Sequence, residues 1–310
     1  MVKQVTSELL MVRPSSFSSN PETIETNKFQ SSLKKNHAQE SIQSDALDEF
    51  NNMVNILREH NINIFDIDDL KELNNTDAVF PNNWISFHQD NTVVLYPMMA
   101  HSRRNEKRYD ILEYLTKNQS FKIDQIIDMS YLEEDNLFLE GTGSMIFDRV
   151  NKTVFASKSS RTSLEALEIF CRDMGYKPII FEAIINDYPI YHTNVMMSLG
   201  KKTAFFCTES IKDEADNLLI KNYFRDMEKE IIEISPQQMN KFAANVIEVE
   251  STKGVSNIIM SETAYQSFDH NQLDSINNVS NIIAIPLETI ERYGGGSARC
   301  MVAEIFLEKN

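Results

Sequence analysis

The sequence of 310 residues predicts an α/β fold. Short apolar or β-branched runs alternate with amphipathic helical patterns along the chain, and turn residues bound these runs. No polar or Pro/Gly-rich linker is long enough to mark a boundary, so one domain is predicted over residues 1–310. The composition, 42% hydrophobic and 25% charged, is typical of a globular protein with a buried core.

Helical periodicity is clearest in two segments. The first runs from residue 44 to about residue 60, where apolar side chains recur at helical spacing: Leu47, Phe50, Val54 and Leu57. In the second, Thr162 to Glu165 has the spacing of a capping box, and an apolar stripe then continues as far as Gly175. Further helices are predicted near residues 211–227, 237–243 and 262–268.

Strand patterns are short and frequent. They cover residues 62–67, 92–96, 137–139, 145–147, 153–156, 179–181, 195–199, 203–207, 230–234, 245–249, 258–260, 282–286 and 301–306. Residues 148–152 and Gly200 are the predicted turns of two hairpins. No internal repeat is visible, and the polar stretch 30–45 is interpreted as a surface loop.

The net charge narrows the classes of binding partner that we expect. Thirty Lys and Arg against 46 Asp and Glu give a net charge of −16, which disfavours nucleic acid and membrane surfaces. No apolar run approaches the roughly 20 residues that span a bilayer, and the N-terminal sequence shows no secretory signal. Three cysteines, an odd number in a chain of this size, are more typical of reduced thiols than of a disulfide framework. Because thiols stay reduced in the cytoplasm, we expect a cytoplasmic protein.

One cysteine stands out as a candidate nucleophile. Cys300 follows Gly294 to Gly296, and three consecutive glycines indicate a close backbone approach or a positive φ. Cys171 and Cys207 lie in apolar helical and strand patterns, so they are interpreted as buried structural thiols. The alternative for Cys300 is a glycine-rich turn without chemistry.

A cysteine nucleophile needs a base and a carboxylate that orients the base. His192 lies between predicted strands, beside Thr193 and Asn194, and is the candidate base. Glu140 ends an apolar run and opens into a Gly-x-Gly turn, so it is the candidate carboxylate. The plainer alternatives are a non-catalytic imidazole and a solvated acid at a strand end.

Five segments resemble, in the same order, motifs of the arginine deiminase and amidinotransferase superfamily. They are residues 77–84, 139–143, 159–162, 192–194 and 294–301, and the resemblance extends from Arg13 to Met301. The chain is most similar to the citrulline-utilisation hydrolase branch. This resemblance implies one amidinotransferase-like catalytic domain with the pentein fold, a five-bladed α/β propeller with pseudo-fivefold symmetry and a central active site.

The resemblance also assigns roles to single residues. Cys300 matches the nucleophile, His192 the general acid/base and Glu140 the carboxylate of the catalytic set. Arg161 matches a residue that binds the substrate α-carboxylate, since a guanidinium fork suits bidentate carboxylate recognition. Arg104 is a second carboxylate ligand by the same resemblance, and the alternative for it is a surface ion pair with Glu106.

Two departures from the superfamily pattern point to the substrate. Arginine deiminases carry aspartates that clamp the guanidinium at the positions of Asn83 and Asn194. An amide both donates and accepts hydrogen bonds, so it suits a neutral ureido group better than a cation. The sequence therefore predicts a hydrolase of a ureido amino acid, citrulline, with Asn83 and Asn194 as substrate-binding residues.

Other functions stay open at this point. A deiminase or dimethylarginine hydrolase would act on a guanidino group, with Asp148 or another acid in place of the missing carboxylates. An amidinotransferase would have to exclude water, and a catalytically silent amino-acid-binding protein would not need a thiol beside a base. No metal or other cofactor is expected, because no Cys-x-x-Cys or His-Glu-x-x-His spacing occurs. The expected partner is a small-molecule amino acid, and a homodimer is left open.

Replacing the nucleophile tests the catalytic assignment. Cys300→Ser is expected to abolish turnover while folding stays intact, because a hydroxyl is a far weaker nucleophile than a thiolate. Product release and circular dichroism of the purified variant check both parts. Retained activity would remove Cys300 from the mechanism.

Overall fold

A computed structural model describes residues 2–31, 39–185 and 187–310 of the chain. The strands are β1 (Glu8–Arg13), β2 (Asn63–Asp68), β3 (Ile85–Phe87), β4 (Thr92–Leu95), β5 (Gln125–Asp128), β6 (Met145–Asp148), β7 (Thr153–Ser157), β8 (Lys177–Phe181), β9 (Ile184–Ile185), β10 (Tyr188–Pro189), β11 (Met197–Leu199), β12 (Thr203–Phe206), β13 (Glu230–Glu233), β14 (Ile247–Glu250), β15 (Ser256–Ser261), β16 (Asn281–Ile285) and β17 (Ala303–Glu304).

Nine α-helices lie between these strands in the described part of the chain. They are α1 (Gln39–Glu59), α2 (Tyr109–Gln119), α3 (Gly141–Ser144), α4 (Leu164–Met174), α5 (Glu214–Asp226), α6 (Pro236–Met239), α7 (Glu262–Tyr265), α8 (His270–Asn277) and α9 (Glu288–Gly294). Short 3-10 turns include Pro81–Asn83, His101–Glu106 and Thr193–Val195. Among the described residues, no helix has both the length and the apolar character needed to cross a membrane.

Five sheets of three strands repeat one topology. They are sheet 1 (β17-β1-β2), sheet 2 (β3-β4-β5), sheet 3 (β6-β7-β8), sheet 4 (β11-β12-β13) and sheet 5 (β14-β15-β16). In each, the middle strand is antiparallel to the first strand and parallel to the third. A helical crossover joins the middle strand to the third, as parallel pairing requires. A small hairpin of β9 and β10 stands apart.

Neighbouring sheets share their hydrophobic cores. Alternate side chains of one strand face different neighbours: Val154 and Ala156 of β7 pack with sheet 2, whereas Phe155 packs with sheet 4. The same alternation in β1 places Leu9 against sheet 5 and Leu10 against sheet 2. Because both faces of the middle strands are buried, these strands are apolar throughout rather than alternating.

Most predicted elements are confirmed within a few residues, and both predicted hairpins exist as β6–β7 and β11–β12. The capping residue of α4 is Ser163, one residue after the predicted position, since its Oγ accepts from the Ala166 N–H at 3.4 Å. Residues 137–139 do not form a strand and make only an isolated bridge at Leu139. The elements that the sequence missed are β1, β3, β5, β9, β10, α2, α3, α8 and α9.

The predicted surface loop over residues 30–45 is wrong in its described part. Helix α1 already begins at Gln39, and the buried Gln30 donates to the carbonyl of Tyr293 at 2.9 Å. Residues 32–38 lie outside the described residues. Residues 39–45 are polar because most of them lie on the solvent-exposed face of helix α1. Composition alone does not distinguish such a face from a surface loop.

The α/β class is thus confirmed. The described residues contain five separate three-stranded sheets and no closed sheet, so the five-bladed propeller and the single domain over residues 1–310 stay predictions.

Candidate active site

Short turns that precede the first strands of the five sheets meet around one narrow cleft. They carry Asn83 before β3, Glu140 before β6, His192 and Asn194 before β11, Asn245 before β14, and Cys300 before β17. The cleft has about 280 Å³ of empty space, part of it open to solvent. Its lining includes Thr23, Asn27, Asp77, Phe80, Asn83, Arg103, Arg161, Tyr191, His192, Gly294, Gly295, Gly296 and Cys300.

The candidate carboxylate and base form a hydrogen-bonded pair. Glu140 Oε2 lies 2.8 Å from His192 Nε2, and both side chains are almost fully buried. The Met99 N–H donates to the other oxygen, Glu140 Oε1, at 3.1 Å. Because a carboxylate only accepts, Nε2 of His192 carries the proton and Nδ1 keeps a lone pair. His192 is therefore oriented as a base.

Two arginines keep the buried Glu140 ionised. Arg161 Nη1 and Arg103 Nη1 lie 3.5 Å and 4.0 Å from Glu140 Oε2. Burial would raise the pKa of Glu140, but Arg161, His192 and Arg103 together outweigh it and lower the pKa to about 2. Burial also lowers the pKa of His192 to about 4, against the opposing effect of Glu140. At neutral pH the pair is a carboxylate with a neutral imidazole.

Cys300 is buried and lines the cleft, and two side-chain amides contact its sulfur. Asn194 Nδ2 donates to Cys300 Sγ at 3.3 Å, and Asn245 Nδ2 does so at 3.2 Å. Gly295 has both features that the glycine run predicted, a positive φ and a close backbone approach. Its φ is 67°, and an added Cβ would lie 2.5 Å from Asn27 Nδ2. Its N–H donates to the Glu291 carbonyl at 3.0 Å.

Arg103 fixes the orientation of Asn83. Arg103 Nη1 donates to Asn83 Oδ1 at 2.8 Å, while Nε and Nη2 hold both oxygens of Glu106 at 2.9 Å and 2.8 Å. Because arginine only donates, the amide oxygen of Asn83 must face it and Nδ2 must point away. Asn83 Nδ2 is buried and finds no hydrogen-bond partner among the described residues.

Gly143 brings this donor and the base together. A Cβ on Gly143 would lie 2.5 Å from Asn83 Nδ2 and 2.8 Å from His192 Nδ1. The amide nitrogen and the basic ring nitrogen therefore converge over the bare backbone of Gly143.

The structure does not bring Arg104 to the cleft. Arg104 Nε donates to the Met98 carbonyl at 3.1 Å and lies 3.5 Å from Glu133 Oε2, with the side chain 23% exposed. The alternative ion pair with Glu106 belongs to Arg103 instead. Arg103, one residue earlier in the same turn, is the arginine that lines the cleft.

Sequence reasoning also missed a carboxylate in the cleft. Asp77 lines it, Asp77 Oδ2 accepts from Asn20 Nδ2 at 2.8 Å, and Oδ1 has no partner among the described residues. Burial raises the pKa of Asp77, although Arg103 at 3.7 Å opposes this. Asp77 opens the first matched motif, which was the available signal. Asp148, the suggested substitute acid, instead binds Asn151 in the β6–β7 turn.

The segment from Asn20 to Gln30 covers one side of the cleft. Arg161 Nη2 donates to the Thr23 carbonyl at 3.2 Å and to Thr26 Oγ1 at 2.7 Å, and its guanidinium lies over the Tyr191 ring. Arg161 Nε is buried without a partner in the described part of the chain. Within those same ranges, no group of three or more His, Cys, Asp or Glu residues is placed to hold a metal ion.

Comparison with known families decides the relationship. The sequence profile of the family described as N,N dimethylarginine dimethylhydrolase, eukaryotic, matches residues 13–307. The chain belongs to this family. The dimethylarginine dimethylhydrolase family is part of the pentein superfamily, so the predicted resemblance is confirmed. As a member of it, the chain is a hydrolase of carbon–nitrogen bonds other than peptide bonds.

Solved structures show that this family member shares its fold with distant relatives. The apo structure of ArgZ, an arginine dihydrolase from the ornithine-ammonia cycle in cyanobacteria, is 17% identical with a TM-score of 0.74. That superposition covers 96% of this chain and 40% of ArgZ, so the chain spans less than half of that protein's length. The substrate-bound N-terminal domain of ArgZ is 16% identical over 96% of this chain and 97% of the domain, with a TM-score of 0.73.

A dimethylarginine dimethylaminohydrolase is similar over its whole length. The structure of its adduct with S-methyl-L-thiocitrulline has a TM-score of 0.63 and 14% identity, covering 98% of this chain and 100% of that chain. No curated protein sequence matches the chain.

Crowding at Gly143 is directly testable. Gly143→Ala is expected to lower kcat/KM by at least about tenfold, because the new methyl group displaces the side chains of Asn83 and His192. Overpacking of this kind costs about 1–3 kcal/mol in protein cores. Steady-state kinetics and thermal unfolding measure the effect. Gly254→Ala is the control, since φ of 78° strains it but no atom lies within 4 Å of its Cβ; it should lose stability without losing activity. Equal losses of activity in both would contradict the site geometry.

The ionisation state of His192 gives a second test. Its ring should titrate near pH 4 in an NMR titration, and Glu140→Gln should lower the pKa of His192 further by removing the charge that favours imidazolium. Because an unfolded histidine binds its proton near pH 6.5, the native protein should lose stability as the pH falls from 6.5 to 4. A midpoint near 6.5 in the folded protein would refute the assignment.

Proposed function

We propose that this protein hydrolyses the ureido group of citrulline to ornithine, ammonia and carbon dioxide. The observation that carries the proposal is the orientation of Asn83, which offers an N–H donor beside His192 because Arg103 holds its oxygen. A ureido group has a carbonyl oxygen that accepts from this donor. A guanidinium has only N–H donors and would face another donor.

The second asparagine contacts Cys300 and does not itself line the cleft, and its lack of charge supports the same substrate class. Asn194 Nδ2 donates to Cys300 Sγ, and Asn194 Oδ1 is buried without a partner among the described residues. Neither asparagine carries the negative charge that would balance a guanidinium. Glu140 and Glu106 are already paired with His192 and Arg103, so a cationic substrate finds less compensation here than a neutral one.

The remaining groups of the cleft suit the amino-acid end of the substrate. Arg161 offers the unpaired Nε together with its charge for the α-carboxylate. Asp77 Oδ1, also unpaired within the described ranges, is available to the α-ammonium group. The Tyr191 ring stacks against the guanidinium of Arg161, and the Tyr191 hydroxyl donates to the Gly295 carbonyl at 2.7 Å.

The first half of the proposed mechanism uses His192 and Cys300, which line the same cleft. His192 Nδ1 accepts the proton of the Cys300 thiol, and the thiolate adds to the ureido carbon. The negative charge that develops on the ureido oxygen is stabilised by the Asn83 N–H. The imidazolium, stabilised by Glu140, then protonates the departing nitrogen.

Water completes the reaction, activated by the same His192. If ammonia leaves first, the intermediate is an S-linked carbamoyl derivative of ornithine; if ornithine leaves first, it is a simple thiocarbamate. Hydrolysis of either intermediate consumes one water overall and restores the Cys300 thiol. Both orders give ornithine, carbon dioxide and ammonia.

One observation favours a second candidate, a hydrolase of arginine or dimethylarginine. Asp77 places an unpaired carboxylate oxygen in the cleft, and an acid there can balance a guanidinium. The family profile and ArgZ, an arginine dihydrolase, are consistent with it.

Two further proposals concern the fold. We propose that sheets 1 to 5 are the five blades of a pentein propeller with pseudo-fivefold symmetry, which the shared cores of neighbouring sheets support. Residues 1–310 then form one catalytic domain. A cytoplasmic location stays a prediction from the sequence, and a homodimer stays an open possibility.

Parallel assays with L-citrulline, L-arginine and dimethylarginine distinguish the candidates, with Cys300→Ala as the blank and Cys207→Ser as the control for loss of a buried thiol. Ornithine and ammonia from citrulline, with neither citrulline nor ornithine formed from arginine, would support the proposal. Citrulline or ornithine from either guanidino substrate would instead establish the second candidate. Binding without turnover in every case would indicate an amino-acid-binding protein.

The role of Asn83 makes a sharper prediction. Asn83→Asp replaces the donor by an acceptor, so kcat/KM for citrulline should fall about 10- to 100-fold, equivalent to about 1–3 kcal/mol for an unpaired buried group. The ratio of arginine to citrulline turnover should rise. Asn257→Asp, at a buried asparagine on β15, controls for a buried charge away from the cleft. An unchanged substrate ratio in a folded Asn83→Asp protein would reject the donor argument.

A further inference from the structure

Asn245 contacts the reactive sulfur although it belongs to no recognised motif. Its Nδ2 lies 3.2 Å from Cys300 Sγ, and its Oδ1 lies 3.5 Å from the same sulfur. The side chain is 1% exposed and does not line the cleft. It therefore contacts Cys300 Sγ from outside the lining of the cleft.

The position of Asn245 follows from the repeated architecture. It precedes β14, the first strand of sheet 5, as Asn83, Glu140, His192 and Cys300 precede the first strands of the other sheets. Sheet 5 is thus the unit from which sequence reasoning named no residue, and its turn supplies Asn245.

One further side-chain hydrogen bond and two backbone hydrogen bonds hold Asn245 in place. Its Nδ2 also donates to the Asn194 carbonyl at 3.1 Å, and its own backbone carbonyl accepts from the Arg299 N–H at 3.4 Å. Its backbone N–H donates to the Phe242 carbonyl at 2.8 Å. Asn245 consequently ties the turn of Asn194 to the turn of Cys300, and its amide plane has little freedom to rotate.

This geometry serves both states of the sulfur. In the thiol, Sγ–H donates to Oδ1 of Asn245; in the thiolate, which only accepts, Nδ2 donates to Sγ together with Nδ2 of Asn194. A hydrogen bond to the charged form favours that form. The proton itself goes to His192, as in the mechanism above.

We propose that Asn245 is a positioning residue that aims Cys300 Sγ and stabilises its thiolate. The ionisable groups that face Cys300 are, across the cleft, Asp77, Arg103, Arg161, Tyr191 and His192, and beside it in the chain, Arg299. In the described part of the chain, the only side chains that hydrogen-bond to the sulfur are Asn194 and Asn245. The proposal holds for a ureido or a guanidino substrate alike.

The test measures alkylation of Cys300 by iodoacetamide against pH, read at the Cys300 peptide by mass spectrometry. In Asn245→Leu, which keeps the volume and removes the donor, the pH of half-maximal alkylation should rise by about one unit, and the rate at neutral pH should fall about tenfold. Asn245→Asp should show a larger rise, because a carboxylate repels the thiolate. In both variants kcat should fall while KM changes little, since Asn245 does not line the cleft.

Asn257→Leu makes the same change at a buried asparagine in sheet 5, and its alkylation profile should match that of the unmodified protein. A folded Asn245→Leu protein with an unshifted profile would overturn the proposal, and so would a rise in KM alone. If neither Asn245 variant folds, NMR of the Asn245 side-chain amide in the unmodified protein decides. Its signal should move over the same pH range as the alkylation rate, and a signal that stays fixed would refute the proposal.

Discussion

The charge of Glu140 is the constraint on which the active site depends. A carboxylate that is fully buried is strongly destabilising unless cations and hydrogen bonds compensate it, and here Arg161, Arg103 and His192 share that task. Arg103 serves Glu106 and Asp77 as well, so the buried acids form one electrostatic network. The tautomer of His192 follows from its bond to Glu140, and the orientation of Asn83 follows from its bond to Arg103. These two hydrogen bonds decide which ring nitrogen of His192 can accept a proton and which amide group of Asn83 can donate one.

The candidate site residues that the sequence predicted lie at the ends of recognisable local patterns. Cys300, His192, Glu140 and Asn83 all lie in turns that lead into short apolar strands, and these turns meet in the structure. The choice between Arg103 and Arg104 was beyond sequence reasoning, because successive side chains in a 3-10 turn point about 120° apart and the phase of the turn is fixed only by packing. Asn245 gave no signal at all, since an isolated asparagine before a strand is typical of any turn.

The fold class was predictable for a similar reason, and the repeat was not. Apolar runs separated by helical patterns indicate α/β structure wherever they occur. The five sheets use their middle strands in the same way, yet each buries both faces against different neighbours. Such strands carry no alternation that could be aligned from one unit to the next, and helices α1, α2, α4 and α5 differ in length. The repetition therefore lies in the backbone path rather than in the side chains.

The reliance on asparagine has a chemical cost over time. Deamidation converts an asparagine into an aspartate or isoaspartate, and asparagine is among the residue types that degrade most readily. At Asn83 that conversion would place a further carboxylate beside Arg103, and at Asn194 or Asn245 it would place a negative charge against Cys300 Sγ. The reaction begins when the following backbone nitrogen attacks the side chain, and a bulky neighbour hinders it. All three asparagines are followed by such residues, which are buried: Trp84, Val195 and Val246. The packing that shapes the cleft thus also protects the amides against ageing.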